Sequence, residues 1–410
     1  MMDTATKNIF TFVAAFYILY VTMPLVGQSL AFPPQYVPMI VTLLVVLISP
    51  NAFFNKQTAW LIFYLGVLVA YLLLEKPLTI SGISDIKSNL FKLMMEMAFI
   101  LPSFSIMCVY YHFQDKRLTQ FLFYTVIVGL GSSFLYLIPL IIANSNILRI
   151  AMRAEELGLE PVFGAPRYSL MHAYAIIASP ALLACMLHKR RSKKFFTFFF
   201  IMLSYMIFRS YITTSILLFI GILVAAFLRG SDSYSQLAYR GVLSVIVFVV
   251  FVAVGGLNIL YDSSYGFFEG SYAQGKMDQL GAVLVGNTLE ENSLNERIAL
   301  HMISVRSFIE NPLVGYPKIG GHSNILDRLG GMGILCFFPY LMFLISIFKR
   351  CSHSLKNSPR THFYYCLGVA VVFILLYEKG LFSYEGWTFY SVILPVSAFY
   401  LSKKENSKLS

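Results

Sequence analysis

Charge is scarce in this 410-residue chain: Asp, Glu, Lys and Arg make up 12% of residues, while 58% are hydrophobic. So little polar surface cannot cover a water-soluble core, which leaves the bilayer as the solvent for most of the chain. Acidic residues are the rarer sign, 20 against 31 basic, for a net charge of +11. The basic excess sits in short clusters between apolar runs. It forms no stripe interleaved with exposed aromatics, so nucleic acid is excluded as a partner. Cysteine is sparse too. Cys108, Cys185, Cys336, Cys351 and Cys366 fall in apolar runs or next to basic clusters, with neither a disulfide framework nor metal-ligand spacing. Asp-x-Asp, His-x-x-x-His and a glycine-rich nucleotide loop are all missing from the exported segments, and no metal or cofactor is expected.

What is plentiful is the long apolar run. Runs of about 15 to 25 residues read as about 12 membrane helices. They lie near Ile9–Val26, Val37–Ile48, Thr58–Leu74, Leu93–Tyr110, Phe121–Ile142 and His172–Leu187, then Phe195–Phe208, Ile212–Leu228, Gly241–Leu257, Leu329–Phe348, Phe363–Tyr377 and Trp387–Leu401. The expected fold is an all-α polytopic membrane protein, a single integral membrane domain over residues 1–410. A large exported loop, residues 258–328, separates the ninth and tenth helices. The first apolar segment is long and followed at once by another, so no cleavable signal is expected. The clusters Lys189–Lys194, Lys349-Arg350 and Lys403-Lys404 alternate onto one side of this stack, which the positive-inside rule makes the cytoplasm, with both termini there. Of the 20 acidic residues only Asp3, Asp115, Asp232 and Glu405 share that side. A multi-pass protein of a bacterial cytoplasmic (inner) membrane is expected.

Three exported segments exceed simple connectors. Glu75–Lys92 carries Ile83, Ile86, Leu90 and Phe91 at helical spacing and reads as a helix lying along the membrane surface. Asn144–Met171 places Arg149 and Arg153 four apart, on one helical face, before Pro161, Gly164 and Pro166 break the chain ahead of Arg167. These arginines either pair with acids such as Glu156 or neutralise a diphosphate. The third segment, Asn258–Asp327, is rich in Gly, Ser and Tyr in its first half, a composition that suits sugar stacking and interfacial anchoring equally.

From Ser293 the pattern becomes helical. Ser293-Leu294-Asn295-Glu296 is a capping box, Ile298, Met302, Val305 and Ile309 recur on one face, and Asn311-Pro312 stops the helix. Arg297 and His301 are one turn apart. Gly315, Gly320 and Gly321 are expected to loosen the chain before His322. His322 is either a structural hydrogen-bonder or a general base working near neutral pH. Arg306, Arg328 and Asn324 are further candidate substrate contacts in the same loop, with Arg153 and Arg167 from the earlier one. Arg209 sits between two apolar runs, with no acid from Tyr205 to Ser215. An arginine there costs about 3 kcal/mol on insertion scales, so it either snorkels to headgroups or holds a substrate phosphate.

On these residues the chain resembles the O-antigen ligase and Wzy-type polymerase superfamily. The resemblance is carried by Asn295-Glu296-Arg297-Ile298-Ala299-Leu300-His301, by Glu310-Asn311-Pro312-Leu313-Val314-Gly315, and by Gly321-His322-Ser323-Asn324-Ile325-Leu326-Asp327 followed by Gly330, Gly333 and Ile334. It implies glycan transfer from undecaprenyl diphosphate on the outer face of the membrane, without metal or nucleotide. It also implies catalytic roles for Arg297, His322 and Arg209, although Phe208 precedes Arg209 where the family usually has Ser or Thr. Implied partners are the lipid-linked oligosaccharide donor and acceptor, a chain-length regulator, a flippase and the lipid bilayer. The Gly-His-Ser-Asn-Ile-Leu-Asp form looks more like polymerases, which use a second lipid-linked repeat unit as acceptor, than like ligases, which use lipid A–core. A polysaccharide flippase or transporter is the reading from another class. It predicts internal repeats and charges at the membrane midplane, whereas the charges here gather at the exported rim.

Overall fold

The computed structural model describes residues 4–30, 36–73, 79–80, 86–113, 115–144, 147, 168–210, 212–229, 274, 293–316, 318–378 and 383–409. They form an all-α assembly: α1 Thr4–Thr22, α2 Pro24–Ser29, α3 Tyr36–Ile48, α4 Pro50–Phe53, α5 Lys56–Leu73, α6 Ile86–Phe113, α7 Lys116–Ala143, α8 Tyr168–Leu187, α9 Arg190–Arg209 and α10 Thr213–Arg229. After these come α11 Ser293–Glu310, α12 Asn324–Ser354, α13 Pro359–Glu378 and the short α14 Tyr384–Thr388, which runs through a buried π-helical turn, Phe389–Ile393, into α15 Leu394–Leu409. Five of these helices, α1, α7, α8, α12 and α13, are long and apolar enough to cross a membrane. At 13 residues α3 is about 20 Å long, short of a hydrocarbon core of about 30 Å. Eleven of the expected apolar runs coincide with helices; the other, Gly241–Leu257, lies outside the described residues, as do Arg153, Arg167 and the first half of the large loop.

The apolar surplus faces outward as well as inward. Phe12, Leu47, Leu135, Ile142, Leu217 and Phe227 are each 63–74% exposed. Side chains of this kind on helix after helix make far more apolar surface than a soluble monomer carries, as expected of a surface that lipid covers.

One end of the assembly is basic. There Lys7 pairs with Asp115, and Arg350 donates to Gln57 (3.1 Å) while lying 4.3 Å from the centroid of the Tyr111 ring. Glu405 accepts the backbone N–H groups of Arg360 (3.1 Å) and Thr361 (2.9 Å), joining α15 to the start of α13. His188 Nε2 lies 3.4 Å from the Tyr400 hydroxyl, which brings the Lys189–Lys194 cluster to the same end. Helix direction then puts the last turns of α1, α9 and α13, and the first turns of α8, α10 and α14, at the opposite end. His172 of α8 and Ser215 of α10 meet near that end, Nδ1 to Oγ, at 2.9 Å.

One expectation about the exported segments is corrected. Within Glu75–Lys92, Thr79–Ile80 is an extended strand, β1, paired in parallel with Lys318–Ile319, β2, in register Thr79↔Lys318 and Ile80↔Ile319. From Ile86 the chain is already α6, a 28-residue helix. No Gly or Pro separates Ile86 from the apolar run that starts at Leu93, so the spacing read as a surface helix is the first turns of a longer one.

The limits of α11 match the capping box and the Asn-Pro stop. Its apolar stripe faces away from the protein: Ile298, Met302 and Ile309 are 52, 46 and 70% exposed. The buried side is the polar one, with Ser304 and Ser307 packed inward. A helix that buries serines and exposes isoleucines is oriented for an apolar surround.

Candidate functional site

The site is built where α11 packs on the start of α12, and close backbone approach is what makes it possible. A Cβ on Gly320 would collide with the Leu300 carbonyl, and one on Gly330 with the Ser304 carbonyl. Both glycines bring the chain tight against α11, and Gly320, expected to loosen the chain before His322, does the opposite.

Gly333 then breaks α12, adopting φ +62° in the left-handed region. The break frees donors and acceptors that a membrane helix must satisfy internally. The 311–316 turn and α5 supply the partners. Ile334 and Leu335 donate N–H to the carbonyls of Pro312 (2.9 Å) and Leu313 (3.2 Å), and Tyr316 N–H donates to the Gly330 carbonyl (2.9 Å). The Tyr71 hydroxyl of α5 lies 2.6 Å from the carbonyl oxygens of both Val314 and Met332.

The loop carrying His322 is held by one carboxylate. Asp327 accepts from Gly321 N–H (3.2 Å) and Ser323 N–H (3.0 Å), on either side of His322, and from the Ser304 hydroxyl (2.6 Å) of α11. Ser304 Oγ in turn accepts Gly320 N–H at 3.0 Å. Ser323 caps α12 by accepting Leu326 N–H (3.1 Å), while Asp327 reaches back to the cap residue's own N–H. This is a capping box with its acid one position late.

His322 is thereby set beside α11. Its ring centroid is 6.3 Å from that of His301, which is 5.3 Å from the Tyr377 ring of α13. Among the described residues the buried His301 Nε2 has no hydrogen-bond partner. One turn before it, Arg297 meets Glu378, the neighbour of Tyr377, at 3.7 Å with both side chains about one-third exposed (35% and 29%). An ion pair this long and this open is worth about 0–1 kcal/mol, so a phosphate can take the guanidinium over. Arg297, His301, His322, Tyr377 and Glu378 therefore form one imidazole-bearing cluster around an arginine–glutamate pair, at the end of the assembly opposite the basic clusters.

The other candidates fall elsewhere. Arg306 is exposed, nine residues after Arg297 and so about half a revolution away on α11. Arg209 ends α9 at the same end of the assembly as the cluster, its guanidinium 5.9 Å from the Tyr205 ring centroid. Arg328 and Asn324, read from the sequence as substrate contacts, are instead buried and hold one another. Arg328 Nε donates to Asn324 Oδ1 (3.1 Å), which also accepts from the Tyr340 hydroxyl (2.7 Å). The Arg328 guanidinium pairs with Glu96 of α6, bonds the Tyr64 hydroxyl of α5 and lies 4.3 Å from the Tyr340 ring centroid. Its charge is answered inside the protein, which makes it a tie between α5, α6 and α12.

His301, Tyr377, Glu378, Ser304 and Asp327 join the candidate site in the structure without having been counted as site residues from the sequence, which placed only His301 one turn from Arg297. Asp327 left a local signal as well, an acid in the first turn of a helix directly after the His322 loop. The chain matches no protein-family model, and it matches no curated protein.

Proposed function

We propose that the protein is a glycosyltransferase that polymerises undecaprenyl-diphosphate-linked oligosaccharide repeat units on the outer face of a bacterial cytoplasmic membrane. The product is O-antigen or a related surface polysaccharide. On this reading the chain crosses the membrane about 12 times, its basic end is cytoplasmic, and the His322 cluster opens on the exported side. The observation that supports the reading is the pinned His322, its ring 6.3 Å from that of His301, which lies one turn along from Arg297 on a helix whose apolar stripe is turned outward. That arrangement supports a base and a phosphate ligand working at a lipid surface.

The chemistry is a single displacement. His322 takes the proton from a hydroxyl of the acceptor sugar as that oxygen bonds to the anomeric carbon of the donor. The bond from that carbon to the diphosphate oxygen breaks, and the anomeric configuration inverts. Arg297, with Arg209, receives the charge that builds on the departing undecaprenyl diphosphate. Exposed Ile298, Met302 and Ile309 seat α11 in the lipid interface, at the depth of the diphosphate.

Purified protein in vesicles, supplied with lipid-linked repeat units, should produce a ladder of polymers. His322→Ala should lower that rate by about 10²–10⁴-fold while repeat units still bind. Arg297→Ala should weaken binding and turnover together. A single transfer to lipid A–core would make the protein a ligase, and translocation without glycosidic bond formation a carrier. An undiminished ladder from His322→Ala would remove the proposed base.

A further inference from the structure

The opposite, basic end of the assembly holds a groove that none of this chemistry uses. It runs along the outer face of α9, lined by Lys193, Lys194, Thr197, Phe198 and Ile201, with a volume of about 390 Å³. Sites for small molecules span about 300–1,000 Å³, so the space is sufficient for a ligand and not merely for water.

The helix period explains why these five residues share one groove. Lys193, Thr197 and Ile201 recur every four residues, as do Lys194 and Phe198, so two rows run side by side along the helix. Each row begins with an ammonium group and ends on an apolar side chain. Both lysines are exposed, and among the described residues neither has an acidic partner. Asp115 and Glu405, the described acids of this end, are already engaged. Asp115 pairs with Lys7, and Glu405 accepts backbone N–H groups at the start of α13.

The apolar half of the groove is as open as the charged half. Phe198 and Ile201 are each 56% exposed, and Phe195 beside them is 49% exposed. A free inorganic anion would answer the lysines and leave these side chains in water. Hydrocarbon alone would cover the side chains and leave two like charges unanswered. Both halves are satisfied by a molecule with a phosphate at one end and an acyl chain at the other, and lysine binds phosphate as a point charge without a fixed fork. We propose that the groove holds one anionic phospholipid, its phosphate between the Lys193 and Lys194 ammonium groups and an acyl chain along Phe198 and Ile201. Such binding is independent of any glycosyl transfer at the other end.

Full-length protein, stripped of lipid in a neutral detergent, provides the test, with bound lipid counted by native mass spectrometry. Phosphatidylglycerol should be retained in preference to phosphatidylcholine carrying the same acyl chains. Lys193→Gln with Lys194→Gln should lower the affinity for phosphatidylglycerol about 30-fold, the effect of two lysines at a membrane surface. Phe198→Ala, at an exposed helical position, should weaken retention of both lipids by removing the wall for the chain. Lys349→Gln with Lys356→Gln removes the same charge from the same end, outside the groove, and should leave binding unchanged. Equal retention of the two lipids, or equal losses in the two double variants, would overturn the site. So would displacement of phosphatidylglycerol by inorganic phosphate at an ionic strength where sodium chloride has no effect. A lipid-free dimer that disappears in the Lys193 and Lys194 double variant would assign the face to a second copy of the chain, and would overturn it too.

Discussion

Arg297 and Arg328 began as two arginines of one loop and end in opposite circumstances. Arg328 is buried, stacked on Tyr340 and paired with Glu96, whereas Arg297 keeps a long, open contact to Glu378. Removing one member of a buried pair strands the other, at about 3–5 kcal/mol. Arg328→Leu is therefore predicted to lower the thermal midpoint sharply in detergent and reduce the yield of folded protein. Arg297→Ala should shift that midpoint little, because its pair is exposed and worth about 0–1 kcal/mol, while reducing activity. Equal stability of the two variants would show that Arg328 is no internal tie.

At the scale of the element, the broken α12 and the helix packed against it stand or fall together. Gly333→Ala places a side chain in the left-handed region and against the Leu313 carbonyl, so a loss of about 1–3 kcal/mol is expected in thermal unfolding. Gly131→Ala is the control: nothing lies near its Cβ position within α7, and stability should hold or rise by up to about 1 kcal/mol. The helices themselves were legible in the sequence, because apolar runs and local stops set them: Asn311-Pro312 ended α11, and the polar break between Arg209 and Thr213 separated α9 from α10. Which way α11 faces was not. An apolar stripe marks the side that avoids water, and in a membrane that side can be either the core or the lipid.

Across the whole molecule, what escaped the sequence is what joins distant stretches. Glu96 and Arg328 are 232 residues apart, and Tyr71 reaches a carbonyl 243 residues away, so neither partner is visible in a local window. Charge sorting, by contrast, was readable from loops alone, and the contacts of Lys7, Arg350, Glu405 and His188 gather the basic clusters at one end. That end is predicted to be cytoplasmic. Reporter fusions after Lys194 and after Gly275 should report opposite sides of the membrane, and agreement between them would refute the topology. The capping of a broken span by a preceding turn also fixes what can be transplanted. Residues 311–335 are one inheritance unit: a chimaera that imports the His322 loop from another chain but keeps the native 334–354 half of α12 inherits a span whose first amide groups have lost their partners. Any grafting of new acceptor preference onto this scaffold has its seams before Asn311 and after Leu335, or it has no scaffold.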